Sequence, residues 1–362
     1  MTGERMEVRT LRYEKNVLVE DVVDLTLKLL SIPSVSGDCA AVMDVAEREL
    51  RDVGLATTRT AKDAVLAVLS GRDDERQRVV AAHLDTLGAV VHEIKDNGRL
   101  RLYPIGGYDW RSFEGENCTV HTLDGAAYDG TLLPDRAARH ATPINKRDEP
   151  RTEENVEVRL DVMTSSKAST EALGIHAGDI VSFEPRSVVT ETGFIKSRFL
   201  DDKLSVAILL TAVRDLRRRG VELPHTTHVY LSNYEEIGHG TPAIPPRAEE
   251  VAALDIGVVA EGTASSEHAV TILSRDGALP YDRRMVRQLK ALAEANDIPY
   301  RIDAYQNYGS DASACLKAGK DVRALCFGPA AEATHSYERT HTDSIDAALR
   351  LLTAYLTAPM AS

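Results

Sequence analysis

The 362-residue sequence is poor in aromatic residues, which make up 5% of it, and it carries only four cysteines. Cys39, Cys118, Cys315 and Cys326 are widely spread and form no Cys-x-x-Cys pair. That argues against a zinc ribbon or a disulfide framework and fits a reducing cytoplasm. Positive charge is also scarce, with 43 Lys and Arg against 56 Asp and Glu and a formal charge of -13. No nucleic-acid partner is expected, because phosphate binding draws on clustered Lys and Arg. The short run "RRR" at 217–219 reads as a solvent-facing stretch. No segment approaches the ~20 apolar residues of a membrane span. The opening "MTGERMEVRTLRYEKN" has no apolar core and no cleavage-like site, so neither secretion nor membrane insertion is expected.

What remains is 43% hydrophobic, in a chain long enough for two domains. "EDVVDLTLKLLSIPS" spaces Val22, Leu25, Leu29 and Leu30 along one helical stripe ending at Pro33, and "AVMDVAERELRDVG" repeats the pattern up to Gly54. "AVLAVLSG" and the nearly continuous "VVAAHLD" read as strands, the second covered on both faces in a mixed or parallel sheet. Between about residues 89 and 198 the pattern changes to short alternating segments broken by Gly, Asn, Asp and Pro, such as "RLRLYPIGG", "CTVHTL" and "VEVRLDV". Helical and strand patterns then alternate again, with strands expected at "THVYLSN", "IGVVA", "AVTIL" and "RALCFG". The reading is an α/β domain with a mixed central sheet, in two parts over residues 1–88 and 199–362, split by a β-rich insert at 89–198.

Chemistry concentrates where predicted strands end. "HVYLSNYEEIGHGTP", residues 228–242, delivers Glu235 and Glu236 to a turn marked by Gly238, Gly240 and Pro242. Alone, such a pair reads as a solvated loop. Similar strand ends or helix starts recur, however, at His83 and Asp85, at Asp201 and Asp202, at Glu261 after "IGVVA", and at His335. Open α/β sheets bind ligands at the carboxyl ends of their strands. Hydrophobic strands have little reason to end in acidic and imidazole groups at one sheet edge unless a cation neutralises them. Two imidazoles with several carboxylates suit a dinuclear zinc, cobalt or manganese site better than an all-oxygen calcium or magnesium cage.

This set, in this order, resembles the family-forty-two metallopeptidases, the tetrahedral or TET aminopeptidases related to glutamyl aminopeptidases. The likeness is carried by His83-Leu84-Asp85, Asp201-Asp202-Lys203, Glu235-Glu236-Ile237-Gly238 and His335-Ser336-Tyr337-Glu338, and runs through nearly the whole chain. "GRLRLYPIGG" and "ALGIHAGDIVSFEP" are similar to the family's β-barrel lid and dimerisation domain. A narrower likeness, through "AHLDTLG", "LDDK" and "YERTH", is to a branch found beside genes for the osmoprotectant N-acetylglutaminylglutamine amide.

The resemblance implies two divalent ions, zinc first and cobalt or manganese as alternatives, held by His83, Asp201, Glu236, Glu261 and His335, with Asp201 bridging. It implies that Glu235 is the general base toward water and that Asp85 orients His83. Glu261 stands where Asp is common, Lys203 where Arg is common, and Thr86-Leu87 where Glu-Ile is common. It further implies a homodimer, or a dodecamer built from dimers.

Asp311, Asp276 and His239 are candidates for the substrate pocket, with turn polarity or capping as the alternative. For His341, next to Thr340 and Thr342, either of which could cap the last helix, a capping or surface role is favoured over metal binding. The expected activity is removal of an N-terminal residue from a short peptide or peptide-like amide. The rivals are a di-metal amidohydrolase acting on an acylated amino acid or modified dipeptide, and a catalytically silent assembly protein of the same fold. A buried carboxylate cluster without its metal would be unfavourable by several kcal/mol, which argues against silence.

Overall fold

The computed structural model describes residues 17–361, so the opening stretch read for secretion lies outside the described residues. Its centre is an eight-stranded sheet in the spatial order Thr57–Arg59, Val65–Leu69, Leu223–Ser232, Gly71–His83, Ala248–Leu254, Arg323–Gly328, Val270–Arg275 and Tyr300–Ala304. The four middle strands run parallel. Antiparallel pairings to Val65–Leu69 on one side and Val270–Arg275 on the other make the sheet mixed. Val79, Val80, Ala81 and Ala82 are fully buried, as a parallel strand covered on both faces requires.

The covering helices follow from sequence periodicity. Val17–Leu30 buries Val22, Leu25, Leu29 and Leu30 on one stripe. Arg283–Ala295 is started by Asp282, whose carboxylate accepts the backbone N–H groups of Arg284 and Met285. Leu200–Arg218 is buried without interruption from Leu200 to Val213, and it opens on Asp201 and Asp202, joined by a cis peptide bond. A helix buried all round usually carries no acid, so two aspartates at its start mark the place where the core meets a site.

Parallel strands share one carboxyl edge. Ser232 lies opposite His83, and Leu254 opposite Phe327. Whatever follows His83, Ser232 and Leu254 in the chain therefore emerges at that edge.

From Gly88 to Phe183 the chain leaves this layer and closes a six-stranded barrel, in the order Gly88–Ile94, Leu100–Ile105, Val156–Leu160, Ala127–Pro134, Asn117–His121 and Ile180–Phe183. Leu100, Leu102, Val156, Val158 and Leu160 alternate inward as the strand period of two demands, and closure leaves no open edge. Val188–Val189 and Phe194–Ser197 do not join the barrel. They form a separate five-stranded sheet with Glu338–His341, Ala330–Glu332 and Gly257–Val259. The strand expected at "IGVVA" is therefore realised as Gly257–Val259 in this second sheet, outside the central one. Among the described residues, no helix is long and apolar enough to cross a membrane.

Candidate active site

His83 is the last residue of its strand, and its ring is held from both sides. Nδ1 lies 3.0 Å from the backbone carbonyl of Asp85, which can only accept, so Nδ1 carries a proton, and Nε2 offers its lone pair once the ring is neutral. Nε2 faces Asp201 Oδ1 at 3.2 Å and Glu235 Oε2 at 3.6 Å. The Asp85 carboxylate is fully buried and ties three segments together. It accepts from Ser36 Oγ at 2.5 Å and from the backbone N–H groups of Glu235 and Glu236 at 3.1 and 3.2 Å. Asp85 thereby orients the two glutamates as well as the imidazole.

Asp201 faces two ways. Its Oδ1 meets His83, while its Oδ2 lies 3.7 Å from His335 Nε2. His335 Nε2 is also 3.6 Å from Glu236 Oε2. The other ring nitrogen of His335 donates to the carbonyl of Gly107, 2.6 Å away on the barrel side, which again leaves Nε2 free to accept. Gly106 makes this approach achievable: its φ is +79°, and a Cβ there would stand 2.4 Å from Leu87 Cδ2. Glu338, buried, holds the backbone N–H groups of His335 and Asp201 with its two carboxylate oxygens, both at 3.1 Å.

The third strand end brings a residue that the sequence reading passed over. Asp255 follows Leu254 directly, is buried, and has a carboxylate oxygen in a group with His83 and Asp201 whose ligating atoms lie within 4.8 Å of one another. Glu261 does not enter this group. It is exposed on the turn after Gly257–Val259, because that strand leads away from the central sheet. Asp255 carried the same signal as His83, an apolar strand run ending in a ligand-type residue.

The electrostatics are one-sided. Burial and neighbouring carboxylates push Asp255 up to about 7, and burial pushes Asp311 up to about 6 despite the nearby His83. Burial likewise holds Asp202, Glu235, Glu236 and Glu338 well above the ordinary carboxylate range. Asp85 and Asp201 go the other way. Burial would raise them, but their hydrogen bonds with His83 hold both below the ordinary value. The same bonds keep His83 well above its usual value against the effect of burial.

Among the described residues, Asp202 Oδ1 and Asp311 Oδ1 are buried without a hydrogen-bond partner. Such a surplus of carboxylates, with two imidazole nitrogens presenting lone pairs, fits divalent cations of the zinc, cobalt and manganese kind.

A cavity of about 440 Å³ opens beside the cluster, lined by Asp201, Glu235, Glu236, Asp255 and His335 on one side. A larger one of about 670 Å³ lies between helix Val17–Leu30 and the barrel, but it lacks this chemistry, so the smaller cavity is the candidate site. Asp311 is not among the residues lining it. Its carboxylate sits behind the wall, accepting from Ser232 Oγ at 2.6 Å against Gly240, where any Cβ would collide with it.

Asp276 is fully buried elsewhere and shapes a turn, accepting from the backbone of Ala278 and Leu279 and from Tyr281 Oη. His239 is exposed and outside the cavity lining, with its carbonyl occupied by Lys62. Neither Thr340 nor Thr342 caps the last helix, Thr342–Thr357; His341 does so itself, its ring accepting the Asp343 N–H.

Residues 63–351 match the M42 glutamyl aminopeptidase family. A Bacillus subtilis (strain 168) protein named "Putative aminopeptidase YhfE" is 43% identical over 343 residues, covering 94% of this chain and 99% of that protein. Aminopeptidase APDkam598 from the archaeon Desulfurococcus kamchatkensis superposes with a TM-score of 0.84 at 23% identity, covering 94% of this chain and 96% of that one. The Pyrococcus horikoshii TET1 peptidase gives a TM-score of 0.81 at 23% identity, with 94% and 100% covered. With four-fifths of its length inside the family match and a carboxylate–imidazole cluster at the parallel-strand ends, the chain belongs to the M42 glutamyl aminopeptidases, a metal-dependent family, and is an aminopeptidase.

Proposed function

We propose that this chain removes the N-terminal residue of short peptides with two divalent ions, zinc first and cobalt or manganese as alternatives. The observation that carries this reading is the two-sided placement of Asp201, with one oxygen 3.2 Å from His83 Nε2 and the other 3.7 Å from His335 Nε2. His83, Asp201 and Asp255 would hold one ion, and Asp201, Glu236 and His335 the other. Bound there, divalent ions supply Lewis-acid polarisation of the scissile carbonyl and activation of a water.

The side chains do the rest. Glu235, held above the ordinary carboxylate range by burial, takes a proton from water at Oε2 and returns it to the leaving amine. Asp85 fixes the His83 tautomer and the backbone that carries Glu235. Glu338 sets the spacing between Asp201 and His335. The surplus of carboxylates favours a substrate with a free ammonium. The β-rich insert, residues 89–198, through its barrel between Gly88 and Phe183, serves as lid and dimerisation unit of a cytoplasmic homodimer, and dimers join toward a dodecamer. The Pyrococcus horikoshii relative, by its description, assembles into a tetrahedron or a large octahedral shell.

Glu235→Gln tests the roles. It should keep its metal while turnover falls by about 10²–10⁴-fold, whereas Glu236→Gln should lose metal. Metal analysis with peptide hydrolysis decides it: near-normal turnover in the first variant, or equal metal loss in both, sinks the assignment. A panel of free-amine and N-acylated dipeptides separates the peptidase from an amidohydrolase, which would prefer the acylated set.

A further inference from the structure

A second group of metal-ligand side chains shares no residue with the cluster described above. His268 in the turn before the strand Val270–Arg275, His341 at the end of the strand Glu338–His341, and Asp343 in the first turn of the last helix each offer one ligand atom, all within 4.8 Å of one another. Asp343 Oδ2 is the hub, 2.9 Å from His268 Nδ1 and 3.1 Å from His341 Nδ1. Two atoms bound to one ion at about 2.0–2.1 Å stand roughly 2.9–3.4 Å apart for angles of about 90–110°, so these spacings need little adjustment. The His341 ring is set from behind. Its Nε2 donates to the Thr192 carbonyl at 2.9 Å, so the neutral ring has its lone pair on Nδ1, as metal-binding imidazoles held by a backbone carbonyl do. Gly193 admits this approach, since its φ is +89° and a Cβ there would stand 2.7 Å from Nε2. The Nδ1 lone pair accepts the Asp343 N–H, yet it also faces the Asp343 carboxylate, which makes two acceptors 3.1 Å apart. A cation between them relieves that contact. Phe194 packs edge-on against both rings, at centroid distances of 4.9 and 6.2 Å, and its low polarity strengthens the attraction of a cation to the carboxylate.

We propose that His268, His341 and Asp343 bind one divalent ion of the zinc class, apart from the catalytic centre. Two imidazole nitrogens with a single carboxylate select zinc, nickel or copper over calcium and magnesium. On binding, His268 shifts its ring proton from Nδ1 to Nε2, and His341 turns to the ion the lone pair that caps the last helix. The Asp343 N–H, a first-turn donor on a half-exposed residue, is then left to water. Three protein ligands leave one position for a water molecule. The role is structural: the ion fastens the turn before Val270–Arg275 to the strand that carries Glu338, the residue holding the backbone of Asp201 and His335.

Counting zinc on the full chain tests this. Chelator-stripped protein is dialysed against zinc at about pH 8, above the ordinary imidazole value so that protons compete little, and bound metal is measured by elemental analysis. The wild type should hold one equivalent per chain more than His268→Gln and Asp343→Asn, in which that equivalent should bind at least about tenfold more weakly. Zinc should also raise the melting temperature of the wild type more than that of His268→Gln. Peptide hydrolysis by His268→Gln should match the wild type, which separates this ion from the catalytic ones and makes the outcome independent of the roles of Glu235 and Glu236. An equal zinc count in wild type and His268→Gln, or loss of the equivalent in only one of the two variants, overturns the proposal. Should Asp343→Asn not fold, the count on His268→Gln decides alone, because that side chain is half exposed.

Discussion

The strand Ala248–Leu254 has a buried glutamate near its start, Glu250, and a buried aspartate one residue past its end, Asp255, roughly 16 Å apart along the strand. Glu250 lies opposite Arg78 on one neighbouring strand and Arg323 on the other. Its oxygens stand 3.8 Å from Arg78 Nη2 and 3.0 Å from Arg323 Nη2, and accept from Tyr355 Oη at 3.2 Å and from the Ala361 N–H at 3.1 Å. Every oxygen has a partner, and the charge is matched within the protein.

Asp255 has no guanidinium among its described neighbours; burial and the Asp201 carboxylate push it up to about 7 despite the nearby His83. One sheet thus buries acid at both ends, self-neutralised at one and open to an outside cation at the other. Burial of charge alone does not mark a functional site; burial without internal compensation does.

The contrast is sharpest when each end is disturbed. Glu250→Ala strands the buried Arg78 guanidinium and the partly buried Arg323, and should cost about 3–5 kcal/mol of unfolding free energy by urea titration. A loss below about 1 kcal/mol would mean that the cluster is not the structural partner described.

The carboxyl edge should respond to pH with a sign set by the ion. In the metal-free protein Asp255 has a folded value of about 7 against an ordinary value of 3.8. Its contribution to stability is therefore complete below the ordinary value and is lost as pH rises through about 7. His83, also raised, adds in the same direction. Metal-free protein should melt higher at about pH 5 than at about pH 8, by an effect on the order of a few kcal/mol. Saturating divalent ion should reverse the trend, because it binds only the deprotonated donors. Melting curves with and without chelator would show no crossover if these groups do not bind the ion.

Asp255→Asn removes one of the crowded charges. It should stabilise the metal-free protein by about 1 kcal/mol near pH 8 while abolishing much of the stabilisation by added ion. The smallest effect belongs to Glu261→Gln: within about 0.5 kcal/mol in stability, as for an ordinary surface change, and with unchanged metal content. Loss of metal from that variant would restore Glu261 as a ligand at the expense of Asp255.

Asp255 and Glu261 also show where sequence reading stops. "VAALDIGVVAEG" holds two apolar runs, each followed by an acid, and the reading took the second. Periodicity detects a strand but not which sheet it joins, and here Val251–Leu254 enters the central sheet while Gly257–Val259 turns into another. His83, Glu235 and Glu236 were legible because each follows the only apolar run in its neighbourhood. The helices Val17–Leu30 and Thr342–Thr357 and the β-rich insert were legible for the same reason of period. Asp276 and His239 were not, since turn residues and pocket residues have the same composition and only tertiary placement separates them.

The bond from His335 to the Gly107 carbonyl makes one ring the joint between two folding units. When the barrel segment around Gly107 opens in a local fluctuation, the ring loses the acceptor that keeps its Nε2 lone pair turned inward. An ion bound at the ring opposes that opening. Amide exchange in the strand Leu100–Ile105, which leads into Gly106 and Gly107, should therefore slow when the centre is filled.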